Sequence, residues 1–130
     1  MEYYMKIMVV DDEKDVQILF QQRFRKEIKS GKIRFQFAFS AEEGLEYMRK
    51  NGTTDLVLIL SDINMPGMNG LDLLKKIKEM HQELPVFMIT AYGDENNYRL
   101  AQEYGCDDYL TKPLDFSTLK EKIFEQDAHN

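Results

Sequence analysis

The sequence predicts an α/β fold, an open sheet of five parallel strands with five helices laid over its two faces. Three observations carry that expectation. Short apolar runs alternate with stretches of helical periodicity five times in succession. Turn formers punctuate the joints, among them Gly31, Gly52 and Pro85. Four of the runs also stop on polar residues: Asp11 and Asp12, then Asp62, then Thr90, then Lys112 with Pro113.

Taken in order, residues 6–10 read as a first apolar strand. Val16, Leu19, Phe20, Phe24 and Ile28 then recur at helical spacing until Ser30 and Gly31 close the helix. Ile33, Phe35, Phe37 and Phe39 alternate with Arg34, Gln36 and Ala38, the period of a strand with one wetter face. Ser40 and Glu43 form a capping box that opens a second helix, ending near Asn51 and Gly52. Residues 56–61 and 86–89 are continuous apolar strands, separated by a third helix carrying Leu71, Leu74, Ile77 and Met80. A fourth helix over 95–104, a short strand over 106–110 and a fifth helix with Phe116, Leu119, Ile123 and Phe124 complete the chain.

Strands one, three and four are apolar throughout, as strands covered on both faces should be, whereas two and five carry polar residues and suit edges. With right-handed crossovers this favours the order 2-1-3-4-5, the flavodoxin-like doubly wound arrangement. Ligands bind such sheets at the carboxyl ends of the strands, so the polar residues that end the runs are expected to meet in one pocket.

A chain of 130 residues has room for one domain, read as 1–130 with a core over about 5–124. With 43% hydrophobic and 31% charged residues it is neither a disordered nor a membrane chain. The longest apolar stretch, 56–60, is far too short to span a bilayer, and no signal core precedes the first strand, which makes a cytoplasmic location the expectation. The lone Cys106 reads as a small buried apolar residue. A formal charge of −6, with the basic residues read as scattered among acids, argues against direct binding of nucleic acid.

Three carboxylates brought together repel, at roughly 4 kcal/mol per pair for a spacing near 4 Å and an effective dielectric near 20. Protons or a hard cation must offset that. Asp11, Asp12 and Asp62 supply the oxygen ligands that Mg²⁺ prefers, and Lys112 adds a fixed positive charge. Each residue also has a plain alternative. Asp12 and Glu13 suit the start of a helix, Asp62 suits a turn leading into Asn64 and Pro66, Thr90 can simply end a strand, and Lys112 can be a solvated charge. What argues against the plain readings is their coincidence at the ends of the right strands.

The motifs Val9-Val10-Asp11-Asp12-Glu13, Ser61-Asp62-Ile63-Asn64-Met65-Pro66-Gly67-Met68-Asn69-Gly70, Thr90-Ala91-Tyr92 and Gly105-Cys106-Asp107-Asp108-Tyr109-Leu110-Thr111-Lys112-Pro113 closely resemble the receiver domain of two-component response regulators. The resemblance runs from about Met5 to Phe124 and is nearest to single-domain, chemotaxis-regulator-like members. It implies that Asp62 accepts a phosphoryl group from a phosphohistidine on a sensor histidine kinase or a histidine phosphotransfer protein. It further implies that Asp11, Asp12, Asp62 and the Asn64 carbonyl hold Mg²⁺, that Thr90 and Lys112 bind phosphoryl oxygens, and that the Lys112–Pro113 bond is cis. Tyr109 matches the switch aromatic, expected to turn inward on phosphorylation and remodel the face of the fourth helix, fifth strand and fifth helix for a downstream protein target or an output domain. Asn64 and Tyr92 stand where the family tunes phosphate lifetime; a bulky Tyr92 is expected to hinder water. Cys106 and Asn69 depart from the family's usual Ala and Asp, away from the chemistry. The only reaction implied is self-phosphotransfer and autodephosphorylation, not enzymic turnover.

An enzyme is the main alternative: a phosphatase of the haloacid-dehalogenase type also forms an aspartyl phosphate with Mg²⁺. Such enzymes carry an Asp-x-Asp motif on an early strand, whereas Asp62 is followed by Ile63 and Asn64. A flavin or nucleotide binder of the same topology needs a Gly-rich or Ser-rich loop after the first strand, and Asp11-Asp12-Glu13 is the opposite. A phosphorylation-dead interaction module is disfavoured because no residue of the set is missing. His81 and His129 lie away from the strand ends and read as surface residues.

Overall fold

A computed structural model describes residues 4–91 and 93–128. The chain runs β1 (Met5–Val10), α1 (Lys14–Arg23), α2 (Arg25–Lys29), β2 (Ile33–Ala38), α3 (Ala41–Asn51), β3 (Leu56–Asp62), α4 (Gly70–Met80), β4 (Val86–Thr90), α5 (Glu95–Glu103), β5 (Asp108–Thr111) and α6 (Phe116–Ala128). All strand pairs are parallel, in the order β2-β1-β3-β4-β5. The fold class and the strand order therefore hold.

The helix number differs from the expected five, because the first helical stretch is two helices meeting at Phe24. Phe24 takes φ −104° and ψ 20° while its ring is fully buried. It stacks on Phe20 at 5.8 Å and meets Phe35 edge-on at 5.0 Å. Packing of that ring sets the backbone where helix propensity alone would continue the helix. The fourth and fifth helices of the sequence reading are thus α5 and α6.

Each central strand feeds two cores, as its period of two requires. Met8, Val10, Ile59, Val86 and Met88 face a core with Ala41, Leu71, Leu74, Ile77 and Ala101 from α3, α4 and α5. Ile7, Val9, Leu58, Leu60, Phe87 and Ile89 face the other, with Phe20, Leu119 and Ile123 from α1 and α6. Not every residue of the periodic sets is inside. Leu19, Ile28, Met80 and Phe124 are exposed, so the apolar stripe of these helices is wider than the face that meets the sheet.

Boundaries shift by one or two residues. β3 reaches Asp62 and β4 reaches Thr90, while β5 begins at Asp108 and not at Cys106. Cys106 is half-buried, with Gln102 Nε2 3.6 Å from its sulfur, so it is not the buried core residue expected. Ser40 does cap α3, accepting the Glu43 N–H at 3.0 Å. Asn69 caps α4 in the same way through Asp72 N–H at 2.9 Å, which gives the departure from Asp a satisfied structural role.

Candidate functional site

β1 and β3 are neighbours, with Val10 in register with Ser61, so the residues that follow or end them stand side by side at one sheet edge. Asp11, Asp12 and Asp62 each offer a carboxylate oxygen within 4.8 Å of the others. Asp11 and Asp62 are buried. Asp12 lies at the open side of the group. It does not cap a helix, since Glu13 occupies the N-cap of α1 without a side-chain bond.

Both oxygens of Asp11 are engaged. Its Oδ1 accepts the Glu13 N–H at 2.9 Å, and its Oδ2 lies 3.2 Å from Lys112 Nζ. The same ammonium lies 3.6 Å from Asp62 Oδ1. Lys112 is carried there by β5, its N–H donating to the Thr90 carbonyl at 2.8 Å, and the Lys112–Pro113 peptide is cis. Burial pulls the Lys112 ammonium down, but Asp11 and Asp62 outweigh that and leave it above its usual value.

One cation beside three acids does not neutralise them. Burial, followed by the neighbouring Asp11, pushes the Asp62 carboxyl up from 3.8 to about 6, against the opposing pull of Lys112. At neutral pH Asp62 is still mostly ionised, so the cluster keeps a net negative charge. A set of three hard oxygen donors with uncompensated charge suits a small divalent cation.

Thr90 is fully buried at the end of β4, one residue beyond Ile89, which is in register with Asp62. Asn64 is exposed on the loop after β3. Tyr92, expected to tune phosphate lifetime, and His129 lie outside the described residues. His81 is at the C-cap of α4, half-buried, its Nδ1 3.4 Å from Thr53 Oγ1. Beside the carboxylates a cleft of about 760 Å³ runs between α1 and residues 113–117.

Tyr109 on β5 meets Tyr98 of α5 edge-on, with ring centroids 5.2 Å apart. Its hydroxyl oxygen is buried and has no hydrogen-bond partner among the described residues. Burial, then Asp94, holds this phenol above its usual pKa.

Gly70 is a positioning residue whose role sequence reasoning did not see. A Cβ there would strike the carbonyl oxygen of Asp62, and the Gly70 N–H donates to Ile63 O at 2.8 Å. The start of α4 is thereby pressed against the backbone of Asp62. Only the close pairing of two glycines, Gly67 and Gly70, around Asn69 hinted at it.

The response regulator receiver domain model matches residues 7–124. This chain belongs to that family. Among curated receiver relatives, the chemotaxis protein CheY1 of Helicobacter pylori is 32% identical over 122 residues, covering 92% of this chain and 94% of that protein. CheY-3 of Vibrio cholerae is 35% identical over 121 residues, covering 92% and 88%. Among solved structures, the response regulator TrrA of Thermotoga maritima, in complex with Mg²⁺ and BeF, superposes with a TM-score of 0.79 at 26% identity, covering 94% of this chain and 98% of that one. The receiver carries an acidic pocket where family members bind Mg²⁺, and no helix among its described residues is long and apolar enough to cross a membrane.

Proposed function

We propose that this receiver takes a phosphoryl group onto Asp62 from a histidine kinase or a histidine phosphotransfer protein in the cytoplasm, and presents the α5/β5/α6 face to a downstream protein target. The single observation that supports it most directly is the meeting of Asp11, Asp12 and Asp62 within 4.8 Å, with Lys112 salt-bridged to two of them.

In this reading an Asp62 oxygen attacks phosphorus, the bond from phosphorus to the donor nitrogen breaks, and the product is an aspartyl phosphate. Phosphoryl transfer asks a protein mainly for position and charge. β3 and the Gly70 contact hold the nucleophile, burial keeps bulk water from its carboxylate, and no general base is required, because the carboxylate is ionised at neutral pH. Lys112 is placed to pair with the phosphoryl oxygens while remaining close to Asp11, and the Thr90 hydroxyl, at the end of the adjacent strand, is the second donor to them. Asp11, Asp12, Asp62 and the Asn64 carbonyl are the residues that would hold Mg²⁺, which when bound neutralises charge on the acids and on the transferred group. Tyr92 and Asn64 govern how long the phosphate survives.

The output step rests on Tyr109. A phosphoryl group beside Thr90 adds charge and strong acceptors that draw the hydroxyl toward it. The Tyr109 ring and its partner Tyr98 share the face between α5 and β5, so a change at Thr90 is transmitted to exposed surface. Moving such a switch from about 1% to 99% active requires roughly 5.5 kcal/mol of preference for the active state.

Intact-mass measurement with Mg²⁺ and acetyl phosphate tests the acceptor. One phosphoryl adduct is expected, absent in Asp62→Asn and in chelator; an adduct that persists in Asp62→Asn overturns the assignment. Multiple turnover of a phosphomonoester dependent on Asp62 would favour the phosphatase alternative.

A further inference from the structure

The charge of this molecule is segregated. Between residues 23 and 34 there are six Lys and Arg and one Glu, a net +5, which leaves −11 on the rest of a chain whose total is −6. The expectation of basic residues scattered among acids therefore fails for this one segment.

The fold gathers the segment into a corner made by α2 and the start of β2. Arg25, Lys26, Lys29, Lys32 and Arg34 are all exposed. None has a carboxylate within ion-pairing distance among the described residues, where Lys6, Lys78, Lys112, Lys120 and Lys122 are all so paired. The turn is closed by Lys32 N–H donating to Glu27 O at 2.9 Å and by Met5 N–H donating to Lys32 O at 2.9 Å. The one acid of the segment is turned away: the Glu27 carboxylate lies 3.2 Å from Lys120 of α6 and is largely buried. Arg34 stacks its guanidinium over Tyr4 at 4.1 Å, which holds it in place on an edge strand.

We infer that this corner is a docking surface for an acidic segment of a partner protein, independent of the phosphorylation state. Charge complementarity argues for the sign of the partner. The −11 on the remaining chain argues for its size, since an extended polyanion such as duplex DNA or a charged bilayer meets that repulsion over a wide area, and a short acidic segment meets only the corner. Position argues for independence. β1 starts beside the corner at Met5 and ends at Val10 beside the carboxylates, and its six residues span about 20 Å, beyond a Debye length of ~8 Å at physiological salt.

The test uses the full chain without any phosphoryl donor, so its failure is separate from failure of the acceptor assignment. Fluorescence anisotropy of a labelled oligoglutamate peptide is read at low salt and again at about 0.15 M. Binding that weakens with salt is expected, reduced about tenfold or more by Lys26→Glu with Lys29→Glu and little changed by Lys50→Glu with Lys76→Glu, which shift net charge equally at exposed sites elsewhere. Circular dichroism verifies that both variants fold. Absence of peptide binding at low salt, or equal losses in the two variants, overturns the proposal. So does tighter binding of a DNA duplex or of phosphatidylglycerol vesicles than of the peptide.

Discussion

Asp62 holds the tension in the site. Its folded pKa, about 6, is above its ordinary 3.8 because burial and Asp11 disfavour the charge. Between those values the folded protein binds the proton that the unfolded chain has released, so stability falls as pH rises through this window and the full penalty is present above it. A shift of that size corresponds to about 3 kcal/mol at neutral pH. In chelator, Asp62→Asn is therefore expected to be more stable than the parent at pH 7 by ~1–3 kcal/mol, and the difference should shrink toward pH 4. Urea denaturation at the two pH values checks it; an equal difference at both would disconnect it from ionisation. Gly70 carries the opposite expectation. Gly70→Ala should cost at least ~1–3 kcal/mol, because the methyl group meets backbone at Asp62 and Ile63 and no flexible side chain can yield. A chemical midpoint unchanged from the parent would show that α4 moves aside freely.

Among the elements, β5 is the one whose state is left open. It is a four-residue edge strand, and Tyr109 within it buries a hydroxyl with no partner among the described residues. Such a group costs roughly 1–3 kcal/mol. Tyr109→Phe keeps the edge-to-face contact with Tyr98 and removes the orphaned oxygen, so it should raise stability by about 1 kcal/mol, read as a higher thermal midpoint. A lower midpoint would mean that the hydroxyl finds a partner in solution. The same strand is anchored at its entry. Asp107 Oδ2 accepts both Lys78 Nζ and the Val86 N–H at 2.8 Å, tying α4, β4 and β5 together. Tyr109, the residue proposed as the switch, thus sits two residues after this fixed point. This arrangement was only partly legible beforehand. Tyr109 could be picked out by its motif, but Lys78 is one lysine among many until the fold places it against Asp107.

At the scale of the whole molecule, charge is distributed in two poles, with uncompensated acids at the carboxyl edge of the sheet and the basic corner near its start. Mg²⁺ binding at the first pole should couple to folding, since the unfolded chain has no such cluster. At a hundredfold excess over its dissociation constant the ion adds about 2.7 kcal/mol. Thermal unfolding should accordingly shift upward with Mg²⁺ and return on chelation. Asp12→Asn should abolish most of the shift; if it leaves the shift intact, the ion binds elsewhere.

The sequence by itself determined the fold class, the strand order and the residues that gather at the sheet edge. Those follow from local signals, namely apolar period, turn residues and the position of polar residues at strand ends, all of which survive in a linear string. Tertiary structure decided the break at Phe24, whose ring, at the junction of α1 and α2, packs against Phe20 of α1 and Phe35 of β2. It decided the half-exposed Cys106, the contact of Gly70 with the Asp62 carbonyl and the withdrawal of Glu27 toward Lys120. Above all it set the proton affinity of Asp62. Each of these depends on distances set by the packed fold, several of them between residues far apart in the chain, and electrostatic and packing energies are functions of those distances.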